Sequence, residues 1–445
     1  MPGPAGHLLI PMKRFVILLS SLLLMGGNAF AQEETPAKYK LYGFVRNYMV
    51  MDTRAVKGGT HDLYYYMPED IKLNAAGEDA NEGLNWKFVS LTTRLGLDFS
   101  GYQFGSMHVS GKVEADFYSL NGSAASNTIA QFRLRQAYMA LKWNLAEDEN
   151  LTLNLGQAWH PMGVDLPNCI NLESGAPFGP FNRSPQAMLH WNVKDWTFTG
   201  GILYLSQYLP MDAEAAGKSV SPFKYGFPEA YAGLGYKHGP VVFKTGFSLL
   251  NTKPVRTFND AKANGLMTSV TGFLYGQYTK GLFQLKAKTA LAQSGEHLNI
   301  LSGYGISAYD ASSNTFTYTP MQDWTSFVSF QYGKKFQVMG MVGYMKQLGT
   351  TRDLMDGVAV LNKAAKEGGN LWINTAASAT IQQAFRVTPT LAWNLGKFTV
   401  ALEYDLTTAE FGNSDAARGV RGLYEAGHTH WVTNHRVLCM TKFNF

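Results

Sequence analysis

Apolar and polar side chains alternate along most of the chain after residue 38. In residues 87–100, KFVSLTTRLGLDFS, mostly apolar side chains fill the odd positions from Val89 to Phe99, and mostly polar ones fill the even positions from Ser90 to Asp98. After a turn at 101–105, residues 109–118 repeat the pattern. A period of two is that of a strand with one apolar face. Two such segments joined by a short turn predict an antiparallel hairpin.

The same unit recurs until the chain ends, and the connections between strands alternate in length. The predicted strands are the two described above and 39–52, 131–145, 149–158, 185–194, 195–207, 229–238, 240–251, 267–280, 281–293, 323–334, 335–348, 382–396, 397–409 and 429–445. Turns of a few residues alternate with long loops at 53–86, 120–130, 159–184, 208–228, 252–266, 294–322, 349–381 and 410–428. Short turns on one side and long loops on the other are typical of transmembrane barrels. We therefore predict an all-β fold, a 16-stranded antiparallel transmembrane β-barrel with short periplasmic turns and long extracellular loops.

The first residues predict export, and the composition fits a barrel. Lys13 and Arg14 precede an apolar run and a small-residue cleavage site that ends at Ala31, the pattern of a signal peptide. We expect a signal peptide over 1–31 (residues 1–11 preceding the true start), a short periplasmic segment over 32–38 and the barrel over 39–445. Charged residues are only 16% of the chain, and a net charge of +5 scattered along it argues against binding to nucleic acid.

The apolar strand faces are expected to contact lipid, with aromatic side chains near the strand ends at the two interfaces. The chain ends on Phe445, which shares a face with Phe443. We predict outer-membrane lipids and lipopolysaccharide as surroundings. From outer-membrane proteins as a class, we expect the barrel-assembly machinery to recognise Phe445.

A barrel of this size leaves an aqueous channel, so the polar faces predict its lining. By alternation, eleven cations and five acids point inward, an excess that favours weak preference for anionic solutes such as carboxylates. The cations are Arg46, Arg94, Lys112, Arg133, Arg135, Lys244, Lys286, Lys288, Arg386, Arg436 and Lys442, and the acids are Asp98, Glu114, Asp116, Glu403 and Asp405. The alternative is that these charges pair with one another and only hold the wall in shape.

Loop 159–184 is the third long loop, rich in Pro and Gly, and its only acids are Asp165 and Glu173. Its apolar residues favour folding into the pore, as a constriction, over capping the mouth. Its acids would then face Arg94, Arg133 and Arg135 and create a transverse field.

Motifs for catalysis or cofactor binding are missing from the sequence. G-x-S-x-G, H-E-x-x-H, P-loop and C-x-x-C patterns do not occur. His428 and His430 in HTHW lack a third ligand, so no metal site and no cofactor are assigned. The alternatives to a channel are an enzymatic barrel, an energised transporter, or a structural or adhesive barrel acting through 294–322 and 349–381. The spacing of Cys169 and Cys439 leaves their pairing open.

The stretches LYGFVR (41–46), RLRQAYMALKW (133–143), LGQAWHPMGVDLPN (155–168) and FGPFNRSPQ (178–186) resemble the DcaP-like family of trimeric outer-membrane porins. The resemblance implies a homotrimer of sixteen-stranded barrels and uptake of small anions such as dicarboxylates. It also implies that Arg133, Arg135 and Arg183 lie near the constriction.

Overall fold

The structure, a computed structural model, is a closed sixteen-stranded antiparallel barrel. It describes residues 37–59, 63–118, 130–171, 175–206, 227–258, 260–301, 303–355, 371–373, 381–412 and 420–445. The wall strands are β1 (Lys38–Arg54), β2 (Glu82–Val89 and Arg94–Phe104), β3 (Met107–Tyr118), β4 (Gln131–Ala146), β5 (Glu149–Trp159), β6 (Arg183–Val193), β7 (Trp196–Leu203), β8 (Phe227–His238), β9 (Val241–Thr252), β10 (Met267–Lys280), β11 (Phe283–Gln293), β12 (Thr315–Gly333), β13 (Phe336–Thr350), β14 (Ile381–Leu395), β15 (Phe398–Gly412) and β16 (Thr429–Asn444). The predicted signal peptide lies outside the described residues.

The barrel closes between its first and last strands. Residues 44–52 of β1 pair with residues 436–444 of β16, and the other edge of β1 pairs with both segments of β2. Every wall strand therefore has two neighbours, which leaves no open edge. The predicted fold class is confirmed.

The strand β2 is interrupted where the sequence predicted a continuous one. Between its two segments, Thr92 adopts a left-handed backbone with φ 72°. The interruption shifts the alternation by one residue: Phe88 is exposed, whereas Val89 and Leu91 are buried inside the barrel. The prediction that Val89 and Leu91 contact lipid is therefore wrong, because a single irregular residue exchanges the two faces of a strand.

The outward face of the wall is apolar. Its exposed large side chains include Leu41, Phe132, Phe247, Leu274, Val328, Val342, Leu391 and Leu402. Exposed aromatic residues flank the short turns, among them Trp191, Trp196, Tyr332, Phe336 and Trp393. An apolar band edged by aromatic rings is the lipid-facing surface of a membrane barrel. Among the residues described, no helix is long and apolar enough to cross a membrane.

Several loops between wall strands carry elements of their own. Strands Val56–Gly59 and Tyr64–Pro68 form a hairpin within loop 1, the segment between β1 and β2. Strands Thr257–Phe258 and Ala261–Lys262 pair between β9 and β10. In loop 6, residues 294–314 between β11 and β12, strand Gly303–Asp310 pairs with the start of β12 and with Leu371–Ile373. Short 3-10 helices occupy Pro161–Gly163, Glu296–Leu298 and Val420–Gly422.

Much of the barrel interior is apolar, which the sequence analysis did not predict. Three clusters of buried residues lie where loops contact the inner wall. The first joins Met67 of loop 1 and Phe178 to Met341 and Met345. The second and third include Ile170 and Met162. The first two clusters hold loops against β12–β16 and β1, whereas the third holds the start of loop 3 against β6–β11.

Candidate pore constriction

Loop 3, residues 160–182 between β5 and β6, folds into the barrel as predicted. Its first half is held by two lysines of β11. The Nζ of Lys288 donates to the carbonyl oxygens of Met162 (2.7 Å) and Asp165 (2.9 Å). The Nζ of Lys286 donates to Leu166 O at 3.0 Å. Carbonyl groups of an irregular loop need donors when they are buried, and lysine side chains supply them here.

The second half of loop 3 is bound to β14, β15 and β1. The Glu403 carboxylate accepts the backbone N–H groups of Ile170 (2.7 Å) and Asn171 (3.1 Å). The Arg386 Nη1 donates to Ala176 O at 3.0 Å, and the Tyr48 hydroxyl donates to Ile170 O at 3.0 Å. Several side chains predicted to face solutes therefore hold a loop instead.

Close packing completes the attachment. The ring of Phe178 lies on the inner face of β13 at Gly343, where an added Cβ would come within 2.4 Å of the ring. Only glycine lets the ring approach the strand this closely. Phe178 is fully buried, so loop 3 is packed against the wall as well as hydrogen-bonded to it.

The predicted basic wall lies on β2, β3 and β4, and its arginines pair with acids of the same wall. The Arg133 guanidinium forms two bonds of 3.0 Å to the Asp116 carboxylate. Arg135 bridges Glu114 (2.8 Å) and Asp116 (2.6 Å). The Arg94 Nη1 is 3.7 Å from Glu114. Nearer the short turns, the Lys112 Nζ contacts Asp98 at 2.6 Å.

The acids of loop 3 do not meet these arginines in the predicted way. The Asp165 carboxylate accepts from the Nζ of Lys244 on β9, at 2.8 and 3.0 Å. Glu173 lies outside the described residues. Asp165 is thus paired with Lys244 and not with Arg94, Arg133 or Arg135, and the transverse field stays a prediction.

In most ion pairs of β2–β4 and β9, the basic side chain is more exposed to solvent than its acidic partner. The Arg133 side chain is 25% exposed and that of Asp116 is 0% exposed. The values are 19% and 6% for Arg94 and Glu114. The Lys112–Asp98 pair is the exception, at 24% and 41%. At the level of loop 3, the water-facing side of the basic wall is therefore cationic although its charges are paired.

A cavity of about 420 Å³ remains beside loop 3. Its lining comes from β4–β10 and the start of loop 3, and includes Tyr138, Asn154, Trp159, His190, Thr199 and Lys244. These polar groups stand among apolar side chains such as Met188 and Phe273. In the described part of the barrel, loops 1 and 3 pack on β12–β16 and β1, while the start of loop 3 also packs on β6–β11 beside the cavity.

Arg183 and Asp405 lie away from bulk water. The Arg183 guanidinium is 1% exposed and lies 4.7 Å from the centre of the Trp159 ring, so it forms a cation–π contact beside the cavity. Asp405 is fully buried, and its Oδ2 is 3.5 Å from the Arg386 Nε. Arg386 also donates to Tyr66 O of the loop 1 hairpin at 3.0 Å.

The sequence analysis missed two features that compensate or cover a cation of the lumen. Asp52 of β1 forms a bidentate pair with Arg436, at 2.7 and 2.9 Å, and both residues are fully buried. The loop 1 hairpin also enters the barrel, where the Tyr65 ring lies 4.3 Å from the Arg436 guanidinium. The sequence did contain a sign that loops cover part of the inner wall. Met339, Met341 and Met345 of β13 occupy inward positions, where a water-filled pore would favour polar residues.

His430 and the loop 6 residue Asp310 take part in ordinary contacts. His430 contacts Asp70 at 2.6 Å. The hydroxyls of Ser313 and Ser312 donate to Asp310 and lower the pKa of its carboxyl to about 2, within its own turn in loop 6. Cys169 and Cys439 are both free thiols.

No protein-family model matches the chain, and no curated protein matches it in sequence. Among solved structures, the chain is similar to the outer membrane channel DcaP of Acinetobacter baumannii, at 16% identity, with 94% of this chain and 100% of that chain covered and a TM-score of 0.60. It is also similar to an anion-selective porin of Comamonas acidovorans (13% identity, coverage 92% and 100%, TM-score 0.49) and to OmpF of Salmonella typhi (13%, 93% and 99%, 0.48). The match to DcaP confirms the barrel fold that the sequence resemblance implied, and with the apolar band it establishes an integral barrel of the outer-membrane type.

Proposed function

We propose that this protein is a passive channel in the outer membrane of a Gram-negative bacterium, through which small hydrophilic solutes diffuse. The observation that carries the proposal is the position of loop 3. It is fixed against β11–β16 and β1 and leaves a cavity that polar and apolar side chains of β4–β10 line together. A solute would pass through without any bond being made or broken.

The proposed selectivity is a modest preference for anions such as carboxylates. Its support is the arrangement in which Arg94 and Arg133 are more exposed than the acids behind them. Charged groups in a low-dielectric wall act strongly at short range, so a solute close to the wall meets guanidinium groups first. Because these arginines pair with Glu114 and Asp116, the anion preference stays modest. It does not require the large excess of lumen cations that the sequence predicted.

The remaining expectations about surroundings and assembly are part of the proposal. The homotrimer and the uptake of small anionic solutes are proposed from the family resemblance of the sequence, and the similarity to the DcaP channel supports the barrel fold on which they depend. Light scattering of the detergent-solubilised protein measures the number of chains directly. Outer-membrane lipids and lipopolysaccharide are proposed as surroundings of the apolar band.

Reconstitution in planar bilayers tests the proposal. We expect ion-conducting steps and a reversal potential of anionic sign in a salt gradient. The double variant Arg133→Gln/Arg135→Gln should shift that potential toward cation preference, because Asp116 loses both of its arginine partners and Glu114 loses one of two.

The matched control is Lys334→Gln/Lys335→Gln, which removes two charges from an exposed short turn and should leave the reversal potential unchanged. Equal potentials for the wild type and the arginine variant would refute the proposed selectivity. They would leave the channel itself supported by its conductance.

One observation favours a second candidate, a structural or adhesive barrel. Three apolar clusters fill much of the described interior, and a barrel occluded in this way would insert without conducting. A correctly folded protein that never shows conductance steps would support this alternative over the channel.

A further inference from the structure

Three potential metal ligands meet at the start of loop 3. His160 is the first residue of loop 3, Glu229 belongs to β8, and His297 lies in the 3-10 helix Glu296–Leu298 of loop 6. Their exposed fractions are 0%, 0% and 1%. A carboxylate enclosed with two imidazoles, on three elements far apart in sequence, requires a physical explanation because burial of a charged group is costly.

The spacing of the ligand atoms fits a tetrahedral ion. The Glu229 Oε1 is 3.2 Å from the His160 Nε2 and 3.5 Å from the His297 Nε2, and all three ligand atoms lie within 4.8 Å of one another. Bonds of about 2.0–2.1 Å to a tetrahedral Zn²⁺ place neighbouring ligand atoms roughly 3.3 Å apart. Glu229 Oε2 is buried without a hydrogen-bond partner among the described residues, which leaves it available to the same ion.

We propose that His160, Glu229 and His297 bind a divalent transition-metal ion of the zinc class. Imidazole nitrogen and carboxylate oxygen are ligands that Zn²⁺ accepts, and a three-residue set leaves a fourth position for water or for the second carboxylate oxygen. The ion would neutralise the buried Glu229 charge and join three separate elements.

The hydrogen bonds of His160 define what metal binding must change. Its Nδ1 accepts the Met162 backbone N–H at 3.1 Å, so in the metal-free state the ring proton is on Nε2 and points to Glu229. An ion on Nε2 moves this proton to Nδ1, and the Met162 contact must then open. Binding is therefore coupled to the first turn of loop 3, where Lys288 already holds Met162 O.

The site connects both ends of loop 3. His160 begins the loop, and Leu298, next to His297, accepts the Phe181 N–H at 2.8 Å near the loop's end. An ion bound to His160 and His297 would thus fix loop 3 to loop 6 and to β8. This role does not depend on which solute passes the barrel, or on whether any does.

The test uses full-length folded protein in detergent, stripped with a chelator and then titrated with Co²⁺ as a spectroscopic substitute for Zn²⁺. We expect one ion per chain, the visible absorption of a tetrahedral Co²⁺ and displacement of Co²⁺ by Zn²⁺. The variants Glu229→Gln and His297→Gln should lose this spectrum and at least tenfold in affinity, while the shift in gel mobility on heating verifies that they fold.

The matched control is His190→Gln. His190 is also a lumen histidine, but it contacts Asn154 and Thr199, so the variant should bind Co²⁺ like the wild type. If folded wild-type protein gives no tetrahedral spectrum, or if Glu229→Gln and His297→Gln bind as tightly as the control, the proposed site does not exist.

Discussion

Arg436 shows how strongly a single buried residue can hold this barrel. Its guanidinium makes a bidentate contact with Asp52 across the β1–β16 seam, and both side chains are fully buried. Removing one partner of a buried pair leaves an uncompensated charge, which typically costs about 3–5 kcal/mol. We therefore expect Arg436→Met to lower the free energy of unfolding by about that amount.

Urea unfolding in detergent, followed by tryptophan fluorescence, measures this change. Arg421→Met is the matched control, because the Arg421–Asp353 pair is 52% and 70% exposed. Exposed pairs contribute at most about 1 kcal/mol. Similar losses for the two variants would show that the seam does not depend on the Arg436–Asp52 pair.

The inward position of the basic residues could be predicted from alternation, but their partners could not. Arg133 and Arg135 lie on the lumen face, as their parity indicated. Parity identifies the face of a strand but not the neighbour across it, which depends on register. Asp52 was overlooked because it lies at the end of a predicted strand, and Asp165 meets Lys244 through a loop path that no periodic pattern specifies.

At the scale of elements, the attachment of loop 3 depends on the space at Gly343. A Cβ there would lie within 2.4 Å of the Phe178 ring. Overpacking of this kind typically costs about 1–3 kcal/mol, so Gly343→Val should displace Phe178 and loosen loop 3. We expect larger and noisier single-channel conductance together with faster proteolysis within loop 3.

Gly276→Val is the control for this prediction. Gly276 lies opposite the outward-facing Phe243, and an added Cβ there has no atom within 4 Å, so loop 3 should be unaffected. Unchanged conductance and proteolysis in Gly343→Val would mean that Phe178 does not hold the loop.

Strands and short turns were predictable because their signals are local, whereas the loop contacts are not. Alternation and turn residues lie within a few positions of the elements that they define. The loop 1 hairpin instead enters the barrel through contacts such as Arg386 with Tyr66, 320 residues apart. Its sequence is polar and aromatic enough to suit either a surface loop or an interior contact. The contact between His160 and Glu229 is not predictable from local patterns either, because the two residues are 69 positions apart.

At the scale of the whole molecule, closure of the barrel ends on the last residue. Phe445 N donates to Gly43 O at 3.0 Å, Gly43 N donates to Phe445 O at 3.3 Å, and the Phe445 ring covers Gly43 so closely that a Cβ would lie 2.6 Å from it. A change of Phe445 therefore alters two things at once: the predicted recognition by the assembly machinery and the packing at the β1–β16 seam. Two variants help to separate these roles: Phe445→Ala removes the ring, whereas Gly43→Ala keeps Phe445 but adds a Cβ that meets both its ring and the backbone oxygen of Arg94.

If recognition dominates, Phe445→Ala should strongly reduce the folded, heat-modifiable protein in outer membranes, while Gly43→Ala should lose no more there than it loses on refolding in detergent. Refolding of both variants into detergent without the machinery supplies the reference, and Phe445→Ala should refold there nearly normally. If both variants fail equally in cells and in detergent, the terminal ring acts through packing at the seam. Recognition of Phe445 by the assembly machinery would then be refuted for this barrel, because packing against Gly43 alone would explain an aromatic side chain at this position.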